Sequence, residues 1–506
     1  MDKVLNINIK NNDLAIGLKS IPILPYDEFY GCVKDMLKDD AKHCLTYHAV
    51  EHQEKLRFYC LIADDEDHSV SILSHETADH KAILRSLTPE CISLHIFERE
   101  IHENFGILFD GHSWLKPVRY PHDRADKSMI MDNYPFYGIK SEELHEVGVG
   151  PIHAGVIEPG HFRFICNGEK VLHLEIHLGY QHRGVERIYL EKDTALQRCI
   201  LSENIAGDTA IGHSLAHSQL IESLAGIEIG EALQIERCIA LELERIAVHI
   251  GDTAALCADV AYQLGQVVCE ALRTTIINTT QLWCGNRFGK GLVRPGGTNY
   301  PLDEELIKSI LAVLDNTGKR FRQITDTIYS RPSVLSRFDE IGKVTTGQAL
   351  AIGAVGMAAR TCNVSRDNRA SHPFQIYRNY AVRPVVLETG DVLARAMLRS
   401  LEVRESINII RDLTDLWRGK KKDIRKPVYD YRLKPDNMAF SLTEGWRGEI
   451  CHCAMTDESG MIRHYKVKDP SMHNWMALAL AVRNQEISDF PVCNKSFNLS
   501  YCGFDL

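Results

Sequence analysis

At 506 residues the chain exceeds one compact core and implies roughly two to four domains. Its composition, 44% hydrophobic and 25% charged, is that of a globular protein and excludes a fibrous or disordered one. A formal charge of -10 argues against nucleic acid as the main partner, because phosphate recognition needs a basic surface.

The opening residues, MDKVLNINIKNND, lack the apolar stretch of a signal peptide. No run of about 18 apolar residues marks a transmembrane helix, so any membrane link is expected to run through partners. Tyr26–Lys38 sets Phe29, Val33 and Leu37 four apart, a helical stripe. Leu56–Ala63 and Ser69–Leu73 have strand character. Phe97–Phe105 is predicted helical, ending at Gly106. Residues 1–125 are therefore expected to form a small α/β domain. Prolines, glycines and charges mark residues 126–149 as a linker. Beyond it, Phe162–Cys166 and Val171–Ile176 are predicted to form a hairpin that turns at Asn167-Gly168. Past Gly184 the pattern is mainly helical. Ile235, Ile239, Leu243, Ile246 and Ile250 mark one buried helix face. Further long helices are predicted near 261–284, 303–329 and 386–412. The last hundred residues are mixed, with turns near Pro435, Gly445 and Gly460. There is no internal repeat.

The 15 cysteines are scattered through apolar segments, as at Cys199, Cys238, Cys257 and Cys269, and reduced, buried thiols are expected. The nearest pair is Cys451-His452-Cys453. No C-x-x-C occurs, so no zinc or iron–sulfur site is expected within the chain. Gly285–Gly297 lacks the Gly-Lys-Ser/Thr ending of a phosphate loop, and Gly353-x-x-Gly356 is no dinucleotide fingerprint, so no nicotinamide site is expected.

Phe97–Pro121, FEREIHENFGILFDGHSWLKPVRYP, resembles the signature of the 30-kDa subunit of complex I and the equivalent domain of formate-hydrogenlyase-type hydrogenases. Glu98, Arg99, Glu100, Phe105, Gly106, Phe109, Gly111 and His112 carry that match. The remainder resembles the 49-kDa subunit and the large subunit of group 4 nickel–iron hydrogenases. Its motifs are GPIHAGVIEPGHFRF followed by LGYQHRGVER, Leu241–Asp259, Gly285–Gly297, and the stretch from AIGAVGMAARTCNVSRDNRASHPF to GDVLARAMLRSLEVRESINII. The resemblance implies an α+β fold. The α/β domain of residues 1–125 would precede a mostly helical large-subunit-like domain over 150–506, opened by a small β-hairpin. It also implies a redox subunit, peripheral at the cytoplasmic face of the cell membrane. Its partners would be a small iron–sulfur subunit and membrane-arm subunits, with electron transfer coupled to ion translocation.

The departures from the family pattern bear on cofactors. Members that bind nickel and iron use two C-x-x-C pairs. Ala206 and Thr209 stand at the first pair, Ser500 and Gly503 at the second, and Cys502 is one residue out of register. No nickel–iron centre is expected, nor any other cofactor bound within the chain. An iron–sulfur cluster would sit in the partner, and quinone is among the acceptors the resemblance allows. For quinone, His153 or His161 matches a family histidine of the first hairpin loop, while Gly207 stands near the place of a family tyrosine.

Glu203 is expected to open a helix beside the vacated pocket, where it either relays protons or complements the helix dipole. His213 and His217 share a helix face, with His213 expected toward the pocket and His217 structural. Glu242, Arg245 and His249 share another face, expected to be a buried ion-pair network. Arg360, Arg366, Asp367 and His372 form a cluster that either holds an anionic or carbonyl-bearing ligand or makes interdomain salt bridges. The expected pocket is bounded by His153, Glu203, Ala206, His213, Arg360 and Ser500. It is either an open redox site or the filled interior of a subunit that only couples its neighbours. The small side chains at 206, 207, 500 and 503 favour the open site.

Overall fold

The computed structural model describes residues 5–11, 15–52, 54–78, 81–153 and 157–506. Helix α1 (Tyr26–Met36) precedes an antiparallel meander of β1 (Lys42–His52), β2 (Lys55–Asp64) and β3 (Ser69–Thr77). Ile7–Ile9 and Ile23–Leu24 complete a five-stranded sheet by pairing in succession along the free edge of β3. Along β2, Leu56, Phe58, Cys60 and Ile62 join one core and Tyr59, Leu61 and Ala63 another. That is the period-two alternation of a strand buried on both faces, and it explains why the segment reads as one apolar run. The first face is covered by α1 and by α2 (His95–Phe105), which ends where Gly106 turns left-handed at φ 78°.

The second face meets a sheet from the far end of the chain: β7 (Asn437–Glu444), β8 (Glu449–Thr456) and β9 (Ile462–Lys468). Leu61 and Ile72 pack there with Phe440, Leu442 and Cys453. Ile16–Gly17 extends that sheet by pairing with Asn437 and Met438. The first 125 residues thus share a core and a sheet with the last hundred.

The segment expected to be a linker ends in a strand, β4 (His145–Val149). Val147 and Val149 sit opposite Phe164 and Phe162 of β5 (His161–Asn167) and pack on the core, which fixes them in a ladder. The predicted hairpin of β5 and β6 (Lys170–His177) is present. Next come α3 (Ala195–Ser202), α4 (Ala210–Ala225), α5 (Glu231–Asp259), α6 (Gln263–Cys284), α7 (Glu304–Ile328) and α8 (Val392–Arg418). The predicted stripe of α5 is buried throughout. Helix α8 starts later than predicted. Leu387 and Gly390 donate their N–H groups to Arg360 and Thr361 carbonyls instead, and the Asp391 side chain caps Ala394 N at 2.8 Å. The chain closes with α9 (Ser471–Ala481) and the single turn α10 (Tyr501–Asp505). Among the described residues no helix is long and apolar enough to cross a membrane. All fifteen cysteines are free, and thirteen are buried.

Candidate functional site

The positions at which the resemblance implies metal ligands in other members lie on two segments, the loop from Glu203 to Thr209 and the stretch from Asn498 to Gly503. Arg447, in the turn between β7 and β8, joins them. Its guanidinium donates to both Asp208 carboxylate oxygens at 2.7 Å, to Thr209 Oγ1 at 3.2 Å and to the Asn498 carbonyl at 2.6 Å. Arg183 closes the outer edge, donating to the Asn204 and Ile205 carbonyls at 2.6 and 2.9 Å and to Cys502 O at 3.0 Å. Ala206, Thr209 and Ser500 are buried along this seam. Ser500 Oγ is occupied as a cap, accepting Gly503 N at 2.9 Å. A Cβ at Gly503 would lie 2.6 Å from an Asp469 carboxylate oxygen. Cys502 supplies the seam's one thiol, and burial pushes it up to about 11, so it is protonated at neutral pH. This donor set does not fit a pair of soft metal ions, which need thiolates.

From the seam a chain of buried polar groups runs inward. His213 Nε2 lies 3.2 Å from Asp469, and its Nδ1 lies 3.1 Å from His452 Nε2. Tyr465 OH lies 2.8 Å from His452 Nδ1 and 2.8 Å from His217 Nδ1. Burial would raise the Asp469 carboxyl, but the hydrogen bond from His213 and the Arg447 charge outweigh it and hold the group below the usual carboxylate range. An ionised Asp469 only accepts, and with every ring in the chain neutral that fixes each direction. His213 donates from Nε2 to Asp469, His452 from Nε2 to His213, Tyr465 to His452, and His217 from Nδ1 to Tyr465. His217 Nε2 is then a bare lone pair, and it has no hydrogen-bond partner. Burial lowers His452 well below its ordinary value and His217 to about 3, consistent with neutral rings. Tyr465 also borders a surface cleft of 960 Å³ with His182, Glu186 and His464.

Four predicted residues therefore meet the seam: Ala206, Thr209, Ser500 and His213. His217, expected to be structural, stands at the inner end of the same chain. Glu203 does not open a helix. It closes α3, and its carboxylate accepts from Arg294 at 2.6 Å and Gly291 N at 2.5 Å, anchoring the glycine-rich loop. His153 and His161 bond to carbonyls of their own loop, Gly160 O at 3.0 Å and Gly150 O at 2.9 Å. Residues 154–156 of that loop lie outside the described residues. The loop reaches the seam through Gly160, where a Cβ would sit 2.6 Å from the Tyr501 ring.

Arg360 is elsewhere. It is fully buried and donates to Glu402 at 2.6 Å and Glu444 at 2.7 Å. Glu402 also contacts Arg245 at 3.4 Å and His249 at 2.7 Å, and Glu242 contacts Arg369 at 3.0 Å. Asp367 pairs with Arg369 at 2.6 Å. The expected network of Glu242, Arg245 and His249 is thus real and has absorbed Arg360 and Asp367. Burial, then the like charge of Asp367, raises Glu444 to about 7. Arg366 donates to Ala354 O at 3.0 Å and contacts Asp65 at 3.5 Å, tying the first sheet to the helical part. His372 likewise contacts Asp65, at 3.1 Å. Sequence reasoning missed Arg447, Asp469, His452 and Tyr465. One signal was available: Cys451 and Cys453 flank His452 on a strand, so His452 must face away from the core those cysteines fill.

Two family matches, in chain order, identify a 30-kDa-type and a 49-kDa-type unit of complex I in one polypeptide. Residues 27–132 match the respiratory-chain NADH dehydrogenase 30 Kd subunit family, and residues 259–434 match the 49 Kd subunit family. Domains of both families are thus fused in one chain. Formate hydrogenlyase subunit 5 of Escherichia coli is 25% identical over 447 residues, 82% of this chain and 76% of that protein. A carbon monoxide-induced hydrogenase of Rhodospirillum rubrum is 29% identical over 357 residues, 70% of this chain and 97% of its own. NADH-quinone oxidoreductase subunit 4 of Thermus thermophilus is 26% identical over 370 residues, 69% and 90% of the respective chains. A chain of the membrane-bound sulfane sulfur reductase, an archaeal respiratory membrane complex, shares the fold with a TM-score of 0.67 at 20% identity. The match covers 73% of this chain and 100% of that one.

Proposed function

We propose that this chain is the large subunit of a membrane-associated, complex I-like oxidoreductase that works without a nickel–iron centre. An iron–sulfur partner seated beside the seam passes electrons to an acceptor there, quinone being one class, and membrane-arm subunits couple the transfer to ion movement. The names of the relatives support the setting. The observation that carries the chemistry is the unbroken buried chain of hydrogen bonds, which with neutral rings runs in one direction. A proton taken up at His217 Nε2 shifts each hydrogen bond in turn, through Tyr465, His452 and His213, and arrives at Asp469 beside Ser500 and Gly503. Arg447 and Arg183 filling the seam favour a second reading, a subunit that couples its neighbours and does no chemistry of its own.

The purified intact complex decides between them. Tyr465→Phe breaks the chain at its centre, and turnover with an artificial donor and a quinone analogue should fall at least about tenfold while the solvent isotope effect changes. Unchanged turnover and isotope effect in a folded variant would leave the coupling role. Nickel at one atom per chain, with hydrogen uptake, would overturn the metal-free reading.

A further inference from the structure

Behind the seam lies a second cavity, of about 490 Å³, between α2, the 113–116 loop, β6 and α9. That volume is in the range of small-molecule sites. Its inner wall is Trp475 and Phe504, and Trp475 Nε1 donates to Ser500 O at 3.4 Å. Trp114 and Tyr134 add aromatic surface, and the His95 ring lies 4.8 Å from Trp114. His95 borders the cavity at 8% exposure, and its Nδ1 has no hydrogen-bond partner. Burial holds that ring neutral, with one N–H and one lone pair to offer.

The charge of the lining is uneven. Arg99, Lys116 and Arg483 face a single carboxylate, Glu175. Glu175 is already bound by Lys116, by Tyr134 OH at 3.2 Å and by Tyr137 N at 2.7 Å. Arg99 donates to the Lys116 and Pro117 carbonyls, both at 2.8 Å, so its charge stays unneutralised while its donors are used, and Arg483 at the rim is the cation left to bind a ligand directly.

We propose that this cavity binds a planar aromatic carboxylate, its ring against the aromatic wall, its carboxylate toward the basic rim and a polar edge bonded to His95. Neutral aromatic molecules would leave the cations unused. A polyphosphate would meet too little polar surface. The proposal does not depend on the redox reading of the seam. Because Trp475 also holds Ser500, occupancy would stiffen the C-terminal segment that forms one side of that seam.

Isothermal titration of 2-naphthoate into the purified full chain tests this. Saturable binding at one site per chain is expected, at least about tenfold tighter than for the neutral 2-naphthalenemethanol. Arg483→Gln, a change at an exposed position, should weaken naphthoate about tenfold and leave the alcohol unaffected. Ala479→Phe, which fills the cavity from α9, should abolish binding of both. Equal affinity for acid and alcohol overturns the proposal, as does undiminished binding to folded Ala479→Phe. Loss of naphthoate binding in the intact complex would mean that a partner subunit fills the cavity, and would overturn it too.

Discussion

Replacing Glu444 by glutamine should invert its effect on stability between pH 4 and pH 8.5. Glu444 sits in a fully buried cluster where Arg245, Arg360 and Arg369 face four carboxyl groups, those of Glu242, Asp367, Glu402 and Glu444. Three cations cannot neutralise four anions, and burial with the Asp367 charge raises Glu444 from 4.5 to about 7. Because the folded value lies above the unfolded one, the protonated group stabilises the fold. That stability is fully present below about pH 4.5 and is lost as pH rises through about 7. At about 1.4 kcal/mol per unit the loss totals about 3 kcal/mol. The glutamine variant cannot titrate. It keeps an acceptor for Arg360 but loses the bond from Asn368 N, 3.1 Å in the parent, at a cost of about 1 kcal/mol. For 506 residues unfolding together, 1 kcal/mol is about 1 °C in Tm. Scanning calorimetry should find the variant about 1 °C below the parent at pH 4, where the loss has barely begun, and about 2 °C above it at pH 8.5. Tm curves that run parallel across that range would refute the charge count.

Two further perturbations act on the seam. Arg447→Met leaves Asp208 and the Asn498 carbonyl unpaired and should destabilise by about 2–4 kcal/mol, and Asp208→Asn in the same chain should recover about half, read by denaturant unfolding. Gly503→Ala drives a methyl group against Asp469 and should cost about 1–3 kcal/mol; Asp469→Ala in the same background should relieve the overlap, and additive losses would show that the clash is absent.

Much of the fold is legible in the sequence because its signals are local. The α5 stripe, the hairpin at Gly168 and the α2 stop at Gly106 each need only a dozen residues of context. Glu242, Arg245 and His249 could be read as a network from spacing alone. The failures are non-local. Val147 and Val149 form a strand only because Phe162 and Phe164 lie opposite. Arg360, expected at the pocket by resemblance, is claimed by Glu402 and Glu444, which no local pattern places beside it. The buried chain joins His213 to partners 239 and 256 positions away, on segments whose own sequence gives no sign of the pairing.

The turn from Gly445 to Gly448 explains why these sites form one unit. Arg447 at its tip binds Asp208 across the seam, Glu444 on one flank enters the buried charge cluster, and Glu449 on the other accepts from Lys468 at 2.5 Å and meets His43 of the first sheet at 3.0 Å. Arg245 holds the same turn by the Glu444 and Gly445 carbonyls, at 2.8 and 3.2 Å. A Cβ on Gly356 would overlap Gly448 Cα, so the turn is wedged directly against another backbone. Packed backbone does not yield gradually. Arg447 therefore cannot leave Asp208 without moving a segment that also positions Glu444 and Glu449. The Asp208–Arg447 ion pair, partly open to solvent, is mechanically tied to the buried cluster on one side and to the first sheet on the other.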